Sequence, residues 1–144
     1  MTATVLERKR IEHERDYDIL TELYNRQAFN RVCTELFAAP ERMGVAALLM
    51  MDLDNLKHIN DTYGHMEGDR MLKVVADILD SIAKDYGSRA SRLGGDEFAI
   101  VVTCNNLNTA AEIKNRIQIT MEEASQREDR DLSISIGIAE YQNH

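Results

Sequence analysis

Arg92-Leu93-Gly94-Gly95-Asp96-Glu97-Phe98, running on into Ala99-Ile100-Val101-Val102, is the stretch on which the reading of this chain turns. Ser88 to Leu93 reads as a short strand and Phe98 to Thr103 as a β-branched, buried one. Two glycines between strand-like runs predict a tight hairpin whose turn uses positive φ. Asp96 and Glu97 stand side by side at its tip. With no Cβ on the two preceding residues, bare backbone can approach a ligand beside two carboxylates. The hairpin alone leaves open a plainer reading, a solvated turn that happens to be acidic.

Working outward, Val45-Ala46-Ala47-Leu48-Leu49-Met50-Met51 is a continuous apolar run, long enough for a buried strand and too short to span a bilayer. It ends in Asp52-Leu53-Asp54, so a strand here delivers carboxylates to a sheet edge. If it pairs with the hairpin, Asp52 meets Asp96 and Glu97, and the acids repel one another unless a cation lies between them. Hard oxygen donors of this kind suit Mg²⁺ or Mn²⁺, with substrate phosphates completing the coordination. The residues by themselves point to metal-assisted phosphoryl transfer.

The chain has 144 residues, 44% hydrophobic and 29% charged, which is a globular composition and enough for one core. Its formal net charge of -8 argues against a nucleic-acid polymer as partner. A nucleotide site on so acidic a surface needs bound cations and local basic groups. The cysteines, Cys33 and Cys104, lie far apart in apolar company and are expected to be buried reduced thiols, which fits a cytoplasmic setting. His13, His58, His65 and His144 form no zinc pattern.

Residues 1–18 are highly charged and read as a solvated linker or helix, and residues 19–144 as the domain proper. Asn25 is a candidate N-cap for an amphipathic helix from Arg26 to Ala39, with Phe29, Val32, Cys33 and Leu36 on one face. Pro40 stops it, and Gly44 precedes the apolar strand. Asn55 to Asp61 reads as a short helix whose first N–H groups face the acidic strand end. Gly68-Asp69 opens a longer helix to about Lys84, its core face at Met71, Leu72, Val75, Ile78, Leu79 and Ile82. After the hairpin, Thr109 and Glu112 predict a capping box opening a helix to about Ser125. Leu132 to Ile138 alternates as a strand. The order predicts an α/β (α+β) domain, with a central mixed or antiparallel sheet flanked by helices.

Gly94-Gly95-Asp96-Glu97-Phe98 resembles the naming motif of the GGDEF family of bacterial diguanylate cyclases. Leu20-Thr21-Glu22-Leu23-Tyr24-Asn25-Arg26, Asp52-Leu53-Asp54-Asn55-Leu56-Lys57, Asn60-Asp61-Thr62-Tyr63-Gly64-His65 with Gly68-Asp69, and Ser135-Ile136-Gly137 resemble further family stretches, in the same order. The resemblance implies a fold like the palm of nucleotidyl cyclases and polymerases. It implies the condensation of two GTP into cyclic di-GMP with release of two pyrophosphates, across a transient homodimer in which each subunit holds one GTP. Asp52, the Leu53 carbonyl, Asp96 and Glu97 would hold two Mg²⁺ (or Mn²⁺) ions, and Asp96 would also activate the 3′-hydroxyl. Asn60 and Asp69 would read guanine, because a carboxylate can accept from N1–H and the exocyclic amine together. Lys57 and His65 would lie near phosphate or ribose, and Gly94 would let the backbone approach the nucleotide. An upstream sensor domain is expected in a longer parent, whose other parts could include a membrane anchor.

The chain departs from the family pattern in places. Asp85 and Ser88 stand where an inhibitory Arg-x-x-Asp normally binds cyclic di-GMP, so product inhibition through that site is not expected. Glu22 replaces a usual glycine and Leu56 a common phenylalanine. The chain ends at His144, before the helix with which the family normally continues. The expectation is therefore a domain lacking that helix and exposing apolar surface on its last strand. The rival reading is a non-catalytic GGDEF module that binds GTP to regulate a partner or only dimerises. A nucleotidyltransferase of mixed purine specificity is disfavoured by Asp69.

Overall fold

Alternation of apolar side chains fixes the sheet. The computed structural model describes residues 3–38, 45–104, 106 and 108–142. In it the apolar run forms β1 (Val45–Leu53), and the central stretch forms a hairpin of β2 (Ala90–Gly94) and β3 (Glu97–Cys104). The last strand is β4 (Ile134–Gln142). The strand order is β2-β3-β1-β4 and every pairing between these strands is antiparallel. The parallel contact is a single bridge, in which Tyr24 lies beside Ser91 on β2.

Ala47, Leu49, Met51 and Leu53 of β1 share the main core with Phe98, Ile100 and Val102 of β3. Two long helices supply the rest of it. One is α4 (His65–Asp85), with Met71, Leu72, Val75 and Leu79 buried; the other is α5 (Asn108–Glu128), with Ile113, Ile117 and Met121 buried. On the other face, α2 (Arg26–Ala38) lays Phe29 against Leu93, Ala99 and Val101. Away from α2, Met50 of β1 is 41% exposed, and Ile138 of β4 is 37% exposed. Phe98, the last residue of the hairpin motif, is fully buried and belongs to the core.

Local signals set several element ends. The Asn25 side-chain oxygen accepts the Ala28 N–H at 2.9 Å, capping α2 as expected. The charged N-terminal stretch is an exposed helix, α1 (Ala3–Asp16). It is tied to the domain by the Asn25 amide on the Arg15 carbonyl (2.8 Å) and by the Asp16–Arg31 ion pair. The short helix α3 spans Leu56–Tyr63.

Other expectations are corrected. The long helix begins at His65, because Gly64 alone breaks the backbone (φ 95°) and helix resumes at once. Helix α5 begins at Asn108, one residue before the proposed Thr109 cap, with the Asn106 side chain accepting the Asn108 N–H at 2.9 Å. Neither Gly94 nor Gly95 takes positive φ. The hairpin instead carries a register shift between Arg92 and Gly94. Cys33 is half-buried, and burial pushes its thiol pKa up. Pro40, Gly44, His144 and the Cys104 side chain lie outside the described residues.

Glu22 has φ 61°. A left-handed non-glycine residue costs roughly 1–2 kcal/mol. Its carboxylate meets His13 Nε2 at 2.8 Å, between groups that are both largely exposed, so that contact offsets little. Glu22→Gly is therefore expected to stabilise the domain by about 0.5–1 kcal/mol, read as a higher urea midpoint with unchanged slope.

Candidate functional site

The site is built at one end of the central strand pair. Register places Asp52 of β1 directly opposite Glu97 of β3, with Ser135 of β4 on its other side. Gly95 and Asp96 form the turn between β2 and β3. The Leu53 N–H donates to the Asp96 carbonyl at 2.9 Å, so the tip of the hairpin is fastened to the end of β1. Met51 and Leu53 face the core, and the intervening Asp52 is exposed on the other side.

The carboxylates differ in their surroundings. Asp54 is held by the hydroxyls of Ser133 (2.8 Å) and Ser135 (2.6 Å). Asp52 and Asp96 have no side-chain partner among the described residues. Glu97 lies 3.5 Å from the Arg26 guanidinium. The open donors are thus Asp52 and Asp96, with Glu97 restrained by a cation.

Two arginines brace the hairpin. Arg26, the first residue of α2, donates to the Leu93 carbonyl at 3.1 Å. Arg92 donates to the Gly95 carbonyl through Nε (3.2 Å) and Nη2 (2.8 Å), and reaches Asp18 through Nη1 at 3.1 Å. Asp18 also accepts the Thr21 N–H (2.9 Å) and hydroxyl (2.8 Å). Burial pushes the Asp18 carboxyl up, but the bonds from Thr21 and Arg92 outweigh it and hold it below the ordinary range.

A second group lies on α3 and the start of α4. A Cβ on Gly68 would fall 1.7 Å from the Asn60 side-chain oxygen, so Asn60 rests directly on that glycine. Asp69 is the next residue. Lys57 and His65 are exposed, with no side-chain partner among the described residues. No side chain caps the N-terminus of α3, since the Asn55 amide is turned to Asp131 at 2.6 Å. A recess of about 470 Å³ lies elsewhere, between Phe29 and Leu36 of α2, Tyr86 and Val101, and contains none of these residues.

The family model described as "Diguanylate cyclase, GGDEF domain" matches residues 15–144. The chain belongs to the GGDEF domain family. Diguanylate cyclase DosC of Escherichia coli (strain K12) is 38% identical over 139 residues, 92% of this chain and 30% of that protein. Uncharacterized protein YhcK of Bacillus subtilis (strain 168) is 35% identical over 142 residues, 94% of this chain and 39% of that protein. The chain therefore spans well under half the length of these relatives. Among solved structures, the coiled coil and GGDEF domain of DgcB from Caulobacter crescentus, in complex with c-di-GMP, superposes with TM-score 0.80 at 27% identity. It covers 96% of this chain and 76% of that one. Diguanylate cyclase SiaD of Pseudomonas aeruginosa, in complex with its activator SiaC, gives TM-score 0.75 at 26% identity, covering 96% and 55%.

In this GGDEF domain the candidate residues fall into those two groups, Asp52 with Asp96 and Glu97, and Asn60 with Asp69. No side-chain contact joins Lys57 or His65 to either. The Asp85 and Ser88 positions are engaged within the fold: Asp85 pairs with Arg116 (2.8 Å), and the Ser88 hydroxyl donates to the Val101 carbonyl (2.5 Å). The donor chemistry of Asp52, Asp96 and Glu97 fits a hard divalent cation. Among the described residues no three acidic, imidazole or thiol side chains lie close enough together to hold a metal ion by themselves. Among the described residues no helix is long and apolar enough to cross a membrane. Sequence reading overlooked the roles of Arg26, Arg92 and Asp18. The available signal was a pair of arginines flanking motif stretches in an otherwise acidic chain.

Because its carboxyl is held below the ordinary value of 3.8, Asp18 contributes stability that is present above that value and lost as pH falls through it towards the folded pKa. Asp18→Asn should therefore be less stable than the parent at pH 6, with the gap closing on acidification towards pH ~3, as urea midpoints across that range will show.

Proposed function

We propose that this chain is the catalytic half-site of a diguanylate cyclase. Two copies, each holding one GTP, face each other. The 3′-oxygen of one GTP bonds to the α-phosphorus of the other, the bond from that phosphorus to the β-phosphate bridge breaks, and pyrophosphate leaves. Repetition in the opposite sense closes cyclic di-GMP. The observation that carries this reading is the β1–β3 register, which sets Asp52 against Glu97 and fastens the Asp96 turn to Leu53.

Asp96, half-buried in the turn and without a side-chain partner among the described residues, accepts the proton of the 3′-hydroxyl. Asp52, Glu97 and the Leu53 carbonyl would complete the donor set for two Mg²⁺ or Mn²⁺ ions. Such ions, when bound, neutralise charge on the attacking and leaving oxygens of an in-line displacement. Asn60 and Asp69 receive the guanine edge, and Lys57 and His65 offset charge on phosphate or ribose. A Cβ on Gly95 would meet nothing within 4 Å, and one on Gly94 only the Glu97 carboxylate at 3.7 Å. Neither φ nor packing within the chain demands glycine at these positions, which supports an outside group approaching the bare backbone.

Incubation with GTP and Mg²⁺ should yield cyclic di-GMP, identified by mass, and Asp96→Ala should lower the rate at least ~100-fold with GTP binding retained. GTP binding without product in the parent chain would assign it to the regulatory class, and no binding at all would overturn the cyclase reading and leave only the dimerisation module.

Gly94→Ala separates fold from site. It should leave the melting temperature within a few degrees, since surface changes free of strain stay within about 0.5 kcal/mol. Affinity for GTP, measured by calorimetry, should nevertheless fall about tenfold or more, as a methyl placed against a bound nucleotide forces it away.

A further inference from the structure

Helices α3 and α4 are interrupted at Gly64, which ends one and starts the other with φ 95° and ψ 161°. Asn60 lies before this break and Asp69 after it. The spacing of the two residues is therefore governed by the angle the backbone takes at one glycine, the residue type least able to hold an angle by itself. Inside the corner, Asn60 rests on Gly68. Outside it, Arg130 spans the break. Its guanidinium lies over the Tyr63 ring, 3.7 Å from the centroid, at the last residue of α3. Its Nε lies 3.4 Å from Glu67 Oε1, on the first turn of α4.

Both ends of this span are anchored. Glu67 is also held by Arg70, which donates to Oε1 at 2.8 Å and to Oε2 at 3.3 Å, and Arg70 continues to Glu128 at the end of α5 (3.0 Å). Arg130 is rooted in the connection between α5 and β4, where its Nη1 donates to the Asp129 carbonyl at 2.8 Å. The Nε of Arg130 is buried and makes no hydrogen bond of good geometry among the described residues. Holding a desolvated donor in this way is unfavourable, and a side chain free to turn to water would avoid it.

We infer that Arg130 is a positioning residue for base recognition, a brace between Tyr63 and Glu67 that fixes the Gly64 corner and with it the separation of Asn60 and Asp69. The inference rests on the assignment of those two residues to guanine made above. It predicts a selective loss. A loosened corner weakens the hydrogen bonds to both N1–H and the exocyclic amine of guanine, whereas a base that keeps N1–H but lacks the amine loses only the first.

Calorimetric titration with GDP and with inosine diphosphate tests this on the parent chain and on Arg130→Met, Arg130→Lys and Tyr63→Leu, each with its melting temperature recorded. Arg130→Met and Tyr63→Leu should weaken GDP about tenfold and inosine diphosphate much less, so that the preference collapses. Arg130→Lys keeps a charge for Glu67 but loses the flat stack, and should fall between. Tyr63 is half exposed, so its variant carries the test if Arg130→Met does not fold. A folded variant with parental preference for GDP overturns the inference and leaves the cyclase reading standing. A parent chain that binds neither nucleotide removes the cyclase reading, and this inference with it.

Discussion

The antiparallel pairing of β1 with β3 is the constraint on which the rest depends. Side chains alternate across a strand, so a slip of one residue would turn Asp52 into the core and Leu53 out to the acidic edge. What forbids the slip is the apolar set on the helix-covered face, where Leu49 and Met51 meet Phe98 and Ile100. The residues that hold the core are thereby the residues that choose which carboxylates stand together. Phe98 joins the two roles, since it is fully buried while its neighbour Glu97 faces Asp52.

Acidic groups gathered on an acidic chain need local compensation, and two arginines provide it by different means. Arg26 neutralises Glu97 from the first turn of α2 while holding the Leu93 carbonyl. Arg92 is directed at the carbonyl of Gly95, and its charge is balanced by Asp18. The turn is thus fixed through its backbone, which leaves the Asp96 carboxylate unengaged within the described chain. Asp54, just past the end of β1, shows the contrasting case of a carboxylate occupied by two serine hydroxyls.

The parts of this architecture that were legible in the sequence are those with a local pattern. The apolar run before Asp52, the Asn25 cap and the spacing of Met71, Val75 and Leu79 each carry their structure in a few neighbouring residues. The meeting of Asp52 with the hairpin was legible as well, because a strand ending in acids and a tip made of acids belong at one edge. The arginine braces were not, since Arg26 and Leu93 lie 67 residues apart and no periodicity links them. The starts of α4 and α5 were misplaced for a related reason. Gly68-Asp69 reads as the opening of the long helix, but the backbone breaks only at Gly64 and helix resumes at His65, while an asparagine at 106 accepts the first N–H of α5. The motif glycines misled in a different way. Their sequence suggested a demand of the backbone, whereas neither glycine takes positive φ and both positions are sterically open.

The single bridge between Tyr24 and Ser91 has a consequence for how the sheet meets its surroundings. The Arg92 N–H donates to the Tyr24 carbonyl at 2.8 Å and the Tyr24 N–H to the Ala90 carbonyl at 3.3 Å, so the rim of β2 is already capped by its own chain. At the opposite rim, among the described residues, no strand pairs with the outer side of β4. An unpaired rim is a template for another strand, whether from the same polypeptide or a different one. The two rims of the sheet therefore differ: the β2 rim carries backbone bonds from its own chain, and the outer side of β4 is unpaired among the described residues.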